Sequence, residues 1–307
     1  MSESEPKTEQ NCDNNFEEQN TRRAISPELE KILYQRINVL DHGFIRVVDY
    51  MGNDSSIVQA ARVSYGAGTK KVQEDKGLIN YLMRHHHTTP FEMCEIKLHV
   101  KLPIFVARHW LRHRTANVNE YSARYSVLSN EFYVPERDVL AEQSTSNKQG
   151  RSEQKMDAAK CDEILKIICD SGTKAYEKYE HMLNDLNLTR ELARIILPVS
   201  FYSEMYWKID LHNLMHFLCL RADSHAQYEI RCYANVIMDI VKKWVPYTYE
   251  AFVNYRKESV SVSKQNVENL KKILAGEKIT FENSGLSKGE WAEFTQIFGD
   301  PNESAPQ

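Results

Sequence analysis

The chain has 307 residues, of which 42% are hydrophobic and 10% aromatic, enough to bury a continuous core and too apolar for a disordered polymer. Its 39 basic and 43 acidic side chains give a formal charge of -4, which excludes a molecule-wide basic field for holding a nucleic-acid backbone. Six scattered cysteines, Cys12, Cys94, Cys161, Cys169, Cys219 and Cys232, form no CxxC pair, and no run approaches the roughly 20 apolar residues of a membrane helix. Reduced thiols, no membrane and a cytoplasmic setting are therefore expected.

Residues 1–25 are acidic and polar, unlike a signal peptide, and predict a disordered tail. Ser26 and Pro27 have the types of an N-cap and first helical residue, for a short helix reaching Tyr34. The runs 37–40 and 44–50 flank Asp41-His42-Gly43 and predict a hairpin. Asp54 is the expected cap of a helix burying Ile57, Val58, Ala61 and Val63, and a second helix is expected over 75–84. The period then changes to two: Cys94, Ile96, Leu98 and Val100 alternate with Glu95, Lys97, His99 and Lys101, the pattern of a half-buried strand. Pro103 opens a predicted helix over 103–114.

Residues 141–157 are polar and predict a loop insertion. Helices are expected over 158–183 and 189–197, a strand over 199–209, and helices over 211–221 and 224–243, the last burying Ala226, Ile230, Tyr233, Ala234, Ile237 and Ile240. Residues 258–307 read as a polar, partly helical extension. Strands and helices neither alternate as βαβ units nor follow a GxGxxG turn. The predicted architecture is α+β, a single domain over 26–257 with an antiparallel sheet and multiple packed helices.

Chemistry concentrates in residues 108–125, where four arginines, two histidines, two asparagines and a serine occur together. Arg112 and Arg114 suit a helix C-terminus. The richness in planar donors goes further, because guanidinium forks match phosphate oxygens in pairs. Asn119 can read a base edge or ribose hydroxyl, and amides over 120–122 can donate to an anion.

Two other readings compete. His85, His86 and His87 with the pair His212 and His216 suggest a metal hydrolase, but Asn213 follows His212, the HExxH glutamate is absent, and no metal is expected. Trp110, Tyr121 and Tyr125 beside the basic run suggest an RNA-binding module, against which stand the negative overall charge and the lack of a recognised module.

Residues 112–124 read RHRTANVNEYSAR and resemble the signature RHRxxSxNExSxR of the flavin-dependent thymidylate synthases, with Asn117 where the pattern has Ser. The resemblance runs from about Asn38 to Phe252, through HHHTTPFE at 85–92, ELARIILP at 191–198 and LRADSHAQYEI at 220–230. It implies a homotetramer whose sites draw on several subunits. The implied reaction makes dTMP from dUMP, with methylenetetrahydrofolate as carbon donor, non-covalent FAD reduced by NADPH as hydride source, and tetrahydrofolate as product.

By the same resemblance, dUMP contacts His109 (often Gln in relatives), Trp110, Leu111, Arg112, Glu120, Tyr121, Ser122, Ala123, Arg124, Arg194 and Arg221. FAD contacts Ser64, His87, Thr89, Arg112, His113, Arg114, Glu120, Asp210, Leu211, His212 and His216, of which Asp210, His212 and His216 depart from the family's common Asn-x-Arg and Asn. His87 lies toward the folate. Arg221 is the catalytic candidate: its fixed charge favours ionisation at uracil N3, and arginine does not lose its own proton near neutrality. No cysteine lies in the Pro-Cys-His setting of thiol-dependent synthases, and Ser122 has no adjacent His-Asp pair to activate it, so Ser122 is expected to hydrogen-bond.

Overall fold

The computed structural model describes residues 20–63, 72–145 and 150–300. Its strands are β1 (Ile37–Val39), β2 (Gly43–Met51), β3 (Glu95–Pro103), β4 (Asn117–Glu120), β5 (Ala141–Gln143), β6 (Arg151–Lys155) and β7 (Tyr202–Asp210). Five build one antiparallel sheet in the order β1-β2-β3-β7-β4, and β5 pairs with β6 apart from it. The predicted alternation is realised in β3 and β7: Ile96 faces Ile209, Leu98 faces Trp207 and Val100 faces Met205, all of them buried. The intervening residues put Lys97 opposite Lys208 and His99 opposite Tyr206 on the other, polar face.

The helices are α1 (Pro27–Glu30), α2 (Asp54–Arg62), α3 (Val72–Arg84), α4 (Thr89–Glu92), α5 (Ile104–Trp110), α6 (Ala158–Asn184), α7 (Arg190–Ala193), α8 (Leu211–Arg221), α9 (Tyr228–Trp244), α10 (Pro246–Phe252), α11 (Lys264–Leu274), α12 (Phe281–Ser284) and α13 (Lys288–Phe298). The apolar sheet face, α5, α8 and α9 share one large core, in which Tyr233, Ala234, Ile237, Ile240 and Trp244 of α9 are fully or nearly fully buried. A smaller cluster of Tyr176, Tyr179, Ala193 and Phe201 fastens α6 and α7. The α+β class with an antiparallel sheet is as predicted.

Several local expectations are corrected. Asn53, not Asp54, caps α2: its side chain accepts from the Ser56 amide at 3.2 Å, and the Ser56 hydroxyl accepts from the Asn53 amide. Asp54 instead crosses to the start of α10, where its carboxylate accepts from the Tyr247 and Thr248 amides at 2.9 and 3.0 Å and from the Thr248 hydroxyl at 2.7 Å. Ser26 stands at the cap position of α1, but its hydroxyl donates to the Trp244 carbonyl at 2.6 Å, and the helix stops at Glu30. Val63 is exposed. The α9 helix begins at Tyr228 rather than 224, because the Asp223 carboxylate accepts from the His225 amide at 2.8 Å and holds a turn there.

The polar stretch read as a loop insertion carries the β5–β6 pair. Arg151 of β6 ties it to α9 through the buried carboxylate of Glu229, 2.5 Å away. Residues 20–25, read as part of a loose tail, lie along β2, where Arg23 donates to the Asp49 carboxylate at 3.1 Å and the Tyr50 carbonyl at 3.2 Å.

Two glycines test this packing in opposite directions. A Cβ on Gly43, at the head of β2, would stand 2.0 Å from the Tyr233 hydroxyl and 2.6 Å from the Val39 carbonyl, so the hairpin closes only around a bare Cα. Gly77 lies within α3, where an added Cβ would meet nothing within 4 Å. Gly43→Ala should destabilise by about 1–3 kcal/mol, through displacement of Tyr233, and Gly77→Ala should stabilise by about 1 kcal/mol, from helix propensity alone. Urea unfolding of both variants measures the two signs.

Candidate active site

The basic run hangs from a buried indole. Trp110, the last residue of α5, is fully buried, with its ring edge-on to Trp207 at 5.1 Å and tilted on Phe217 at 4.9 Å. The helix ends there, short of the predicted residue 114, because the chain must turn back to lay β4 along β7. The turn, closed by the His113 amide on the Trp110 carbonyl at 3.0 Å, releases Arg112 and Arg114 outward.

They open onto a cleft of about 760 Å³ whose walls also include Arg108, His109, His113, Asn213, His216 and Arg221. Arg221, on the last turn of α8, donates its Nε–H to Nε2 of His113 at 3.0 Å. The acceptor role of Nε2 leaves the His113 proton on Nδ1. Burial first, then the Arg221 charge and His216, push His113 from the ordinary 6.5 down to about 4, so the ring is neutral at pH 7. Burial and Arg221 also lower His109, and burial and Arg112 lower Arg221 itself.

The second half of the run lies elsewhere. The polar loop expected after Arg114 contains an edge strand, β4, at whose end the Glu120 carboxylate accepts from the Ser203 hydroxyl at 2.7 Å and the Tyr121 amide donates to the Glu204 carbonyl at 2.8 Å. The following turn is closed by the Tyr125 amide on the Ser122 carbonyl at 3.0 Å, while the Arg124 amide reaches the Ser122 hydroxyl at 3.3 Å. Arg124 then lines a separate depression of about 640 Å³ with Asn184, Asn187, Thr189, Arg190 and Glu191. Arg190 donates to the Tyr125 carbonyl at 2.8 Å. Arg194 lies half-buried on the 3-10 turn after α7.

A third group surrounds α4. His87 and Thr89 line a cavity of about 670 Å³ with Ala61, Leu78, Tyr81 and Met93. Between it and the first cleft is a cavity of about 220 Å³, sharing His87 and Thr88 with the former and His216 with the latter, and holding His86, His212, Cys219 and Arg256. Asp210 caps α8, accepting from the Asn213 amide at 2.9 Å. Among the described residues no three His, Cys, Asp or Glu side chains converge as a metal site would require.

Four of the expected contact residues turn their side chains away from the cleft. Trp110 and Leu211 are completely buried in the main core, Ala123 is buried, and Leu111 packs against the core, so their side chains do not line the cleft. Ser64 lies outside the described residues. Asn213 and Arg256 were not singled out by sequence reasoning. Asn213 had a signal, one turn after the helix cap, whereas Arg256 had none.

A family model described as thymidylate synthase complementing protein matches residues 46–247. A flavin-dependent thymidylate synthase of Rickettsia bellii is 56% identical over 288 residues, which is 90% of this chain and 98% of that protein. Another from Ruegeria pomeroyi is 59% identical over 91% of this chain and 93% of its own length. The chain belongs to the flavin-dependent thymidylate synthase family. It is thus an enzyme of the methyltransferase class. Among solved structures, a UMP/dUMP methylase from Streptomyces cacaoi bound with 5-Br dUMP is 34% identical, with a TM-score of 0.66, covering 73% of this chain and all of that one. Among the described residues no helix is long and apolar enough to cross a membrane.

The donor set fits the flavin dinucleotide of such a synthase. The three adjoining cavities carry guanidinium and imidazole groups at one end and Leu78, Tyr81, Leu82 and Pro90 at the other, and among the described residues no Asp or Glu lies in their walls. An elongated anionic ligand with an aromatic end suits that division.

Because His113 is held below its ordinary value, its protonation favours the unfolded chain. Its contribution to stability is complete above about 6.5 and is lost as pH falls toward about 4. His113→Gln keeps an acceptor for Arg221 and should flatten that acid limb. Urea midpoints measured between pH 4.5 and 7 report the difference in slope.

Proposed function

We propose that this chain methylates dUMP to dTMP as a homotetramer, using methylenetetrahydrofolate as carbon donor. The observation that carries the reading is the pairing of Arg221 with a neutral His113 in a cleft whose walls hold four guanidiniums and no carboxylate. A neutral acceptor aligns the Arg221 fork without cancelling its charge, so that charge remains available to an anion in the cleft. At uracil, the same charge favours ionisation of the ring and raises the nucleophilicity of its carbon. Arg112 and Arg114, both exposed, add donors for the phosphate. When bound, reduced FAD supplies the hydride that completes the methyl group, with NADPH as its reductant.

The second set, Glu120–Arg124 with Arg194, belongs to the same substrate in this reading. Four residues of β4, at about 3.3 Å each, carry the chain roughly 13 Å away from Arg112–Arg114. Arg124 faces its own depression rather than the cleft. A site shared between copies of the chain reconciles two anion-binding groups with one nucleotide, which supports the tetramer. The absence of a basic surplus and the free cysteines among the described residues fit a cytoplasmic enzyme.

The test is release of tritium from 5-tritiated dUMP by the purified enzyme. Release should require FAD, NADPH and methylenetetrahydrofolate together and should fall by at least about 100-fold in Arg221→Ala, the scale of losing a preorganised charge-stabilising donor. A folded, FAD-loaded wild type that releases none overturns the assignment.

A further inference from the structure

We propose that Arg256 is an anion-binding residue of the flavin site, taking a phosphate oxygen of the FAD pyrophosphate in the cavity between α4 and α8. This rests on the flavin reading above and extends it to a residue beyond the family-matched segment 46–247.

Arg256 lies on the π-helical turn Val253–Lys257 that continues α10. It lines the middle cavity of about 220 Å³ with His86, His87, His212 and His216. That cavity adjoins the arginine-lined cleft through His216 and the apolar cavity beside α3 through His87 and Thr88. A dinucleotide long enough to cross all three would bring its pyrophosphate into the middle cavity, which Arg256 lines.

The charge of Arg256 has no carboxylate to meet it there. Its guanidinium bonds the His86 ring at Nδ1, and since arginine only donates, that nitrogen is an acceptor on a neutral ring. Among the described residues the cavity walls contain no Asp or Glu, and their apolar part is Met83, Phe91, Met215 and Phe252. The half-exposed guanidinium meets one imidazole there, and an oxyanion adds a charge-assisted partner. The field reaches the cavity interior: Arg256 and Lys257 both oppose the burial that pushes the Cys219 thiol upward.

The turn is also held in place independently of any ligand. Lys76 pairs with Glu250 of α10, and the Arg84 guanidinium sits 5.9 Å over the Tyr255 ring, so α3 holds the helix and the turn that carry Arg256. Such pre-orientation lowers the entropic cost of binding.

The experiment is an equilibrium titration of the full-length chain, followed by flavin fluorescence, with FAD and with riboflavin, for the wild type, Arg256→Ala, Arg256→Gln and Arg256→Lys. Arg256→Ala and Arg256→Gln should weaken FAD by about 10- to 100-fold, Arg256→Lys should recover part of the loss, and riboflavin affinity should be the same in all four proteins. Circular dichroism and thermal melting identify folded variants, and the Gln variant keeps the side chain's length and polarity if Ala perturbs the turn. A folded Gln or Ala variant that binds FAD as tightly as the wild type overturns the assignment, as does an equal loss for FAD and riboflavin. A wild type that binds no FAD overturns the flavin reading itself, a different result from either.

Discussion

The contact between Trp110 and Trp207 joins the sheet to the chemistry. Trp207 is fixed by the register of β3 with β7, which places it opposite Leu98 on the apolar face. Trp110 closes α5 against that ring and against Phe217 of α8. One buried cluster therefore sets three things at once: where α5 stops, where Arg112 and Arg114 emerge, and how α8 presents Arg221 to His113. Aromatic pairs of this kind contribute about 0.5–1.5 kcal/mol beyond their burial. Their larger effect here is geometric, since close-packed rings leave the attached loop little freedom.

The cleft concentrates positive charge and dispenses with neutralising carboxylates, an arrangement that would be unfavourable in a purely structural cluster. Burial lowers the pKa of both His113 and His109, and so the cleft keeps its fixed guanidiniums while imidazole charge is suppressed. Arg221 bears part of the cost, its own charge opposed by burial and by Arg112. The balance is resolved by an anionic ligand, which makes affinity and electrostatic activation consequences of one arrangement.

Much of this was legible from the chain alone because it rests on period and residue type. The alternation over Cys94–Lys101, the hairpin around Gly43 and the long helices α6 and α9 each follow from patterns within a single element. What failed depended on partners distant in sequence. Residues 111–114 have helical character, but the pairing of β4 with β7 takes the chain out of the helix. Asp54 suits a cap, yet Thr248 claims it from 194 residues away. Trp110, Leu211 and Ala123 are expected ligand contacts by resemblance, and a signature does not reveal that their side chains turn inward. Nor does a signature of consecutive residues reveal that Arg112 and Arg124 open onto different depressions.

The reach of Asp54 also bears on where the folding unit ends. The family match stops at residue 247, but the Asp54 carboxylate takes two of its three bonds from Thr248. Burial already raises the pKa of that carboxylate, and the bonds from residues 247 and 248 are what hold it against the tendency. A chain cut at residue 247 would leave a half-buried acid short of donors at the start of α2, and would also remove α10 from its seat on α3. The family model thus stops one helix short of these contacts, whereas relatives at 56% and 59% identity are matched over 90% and 91% of the chain, and shortened versions should be designed from the acid's partners, not from the family model's edge.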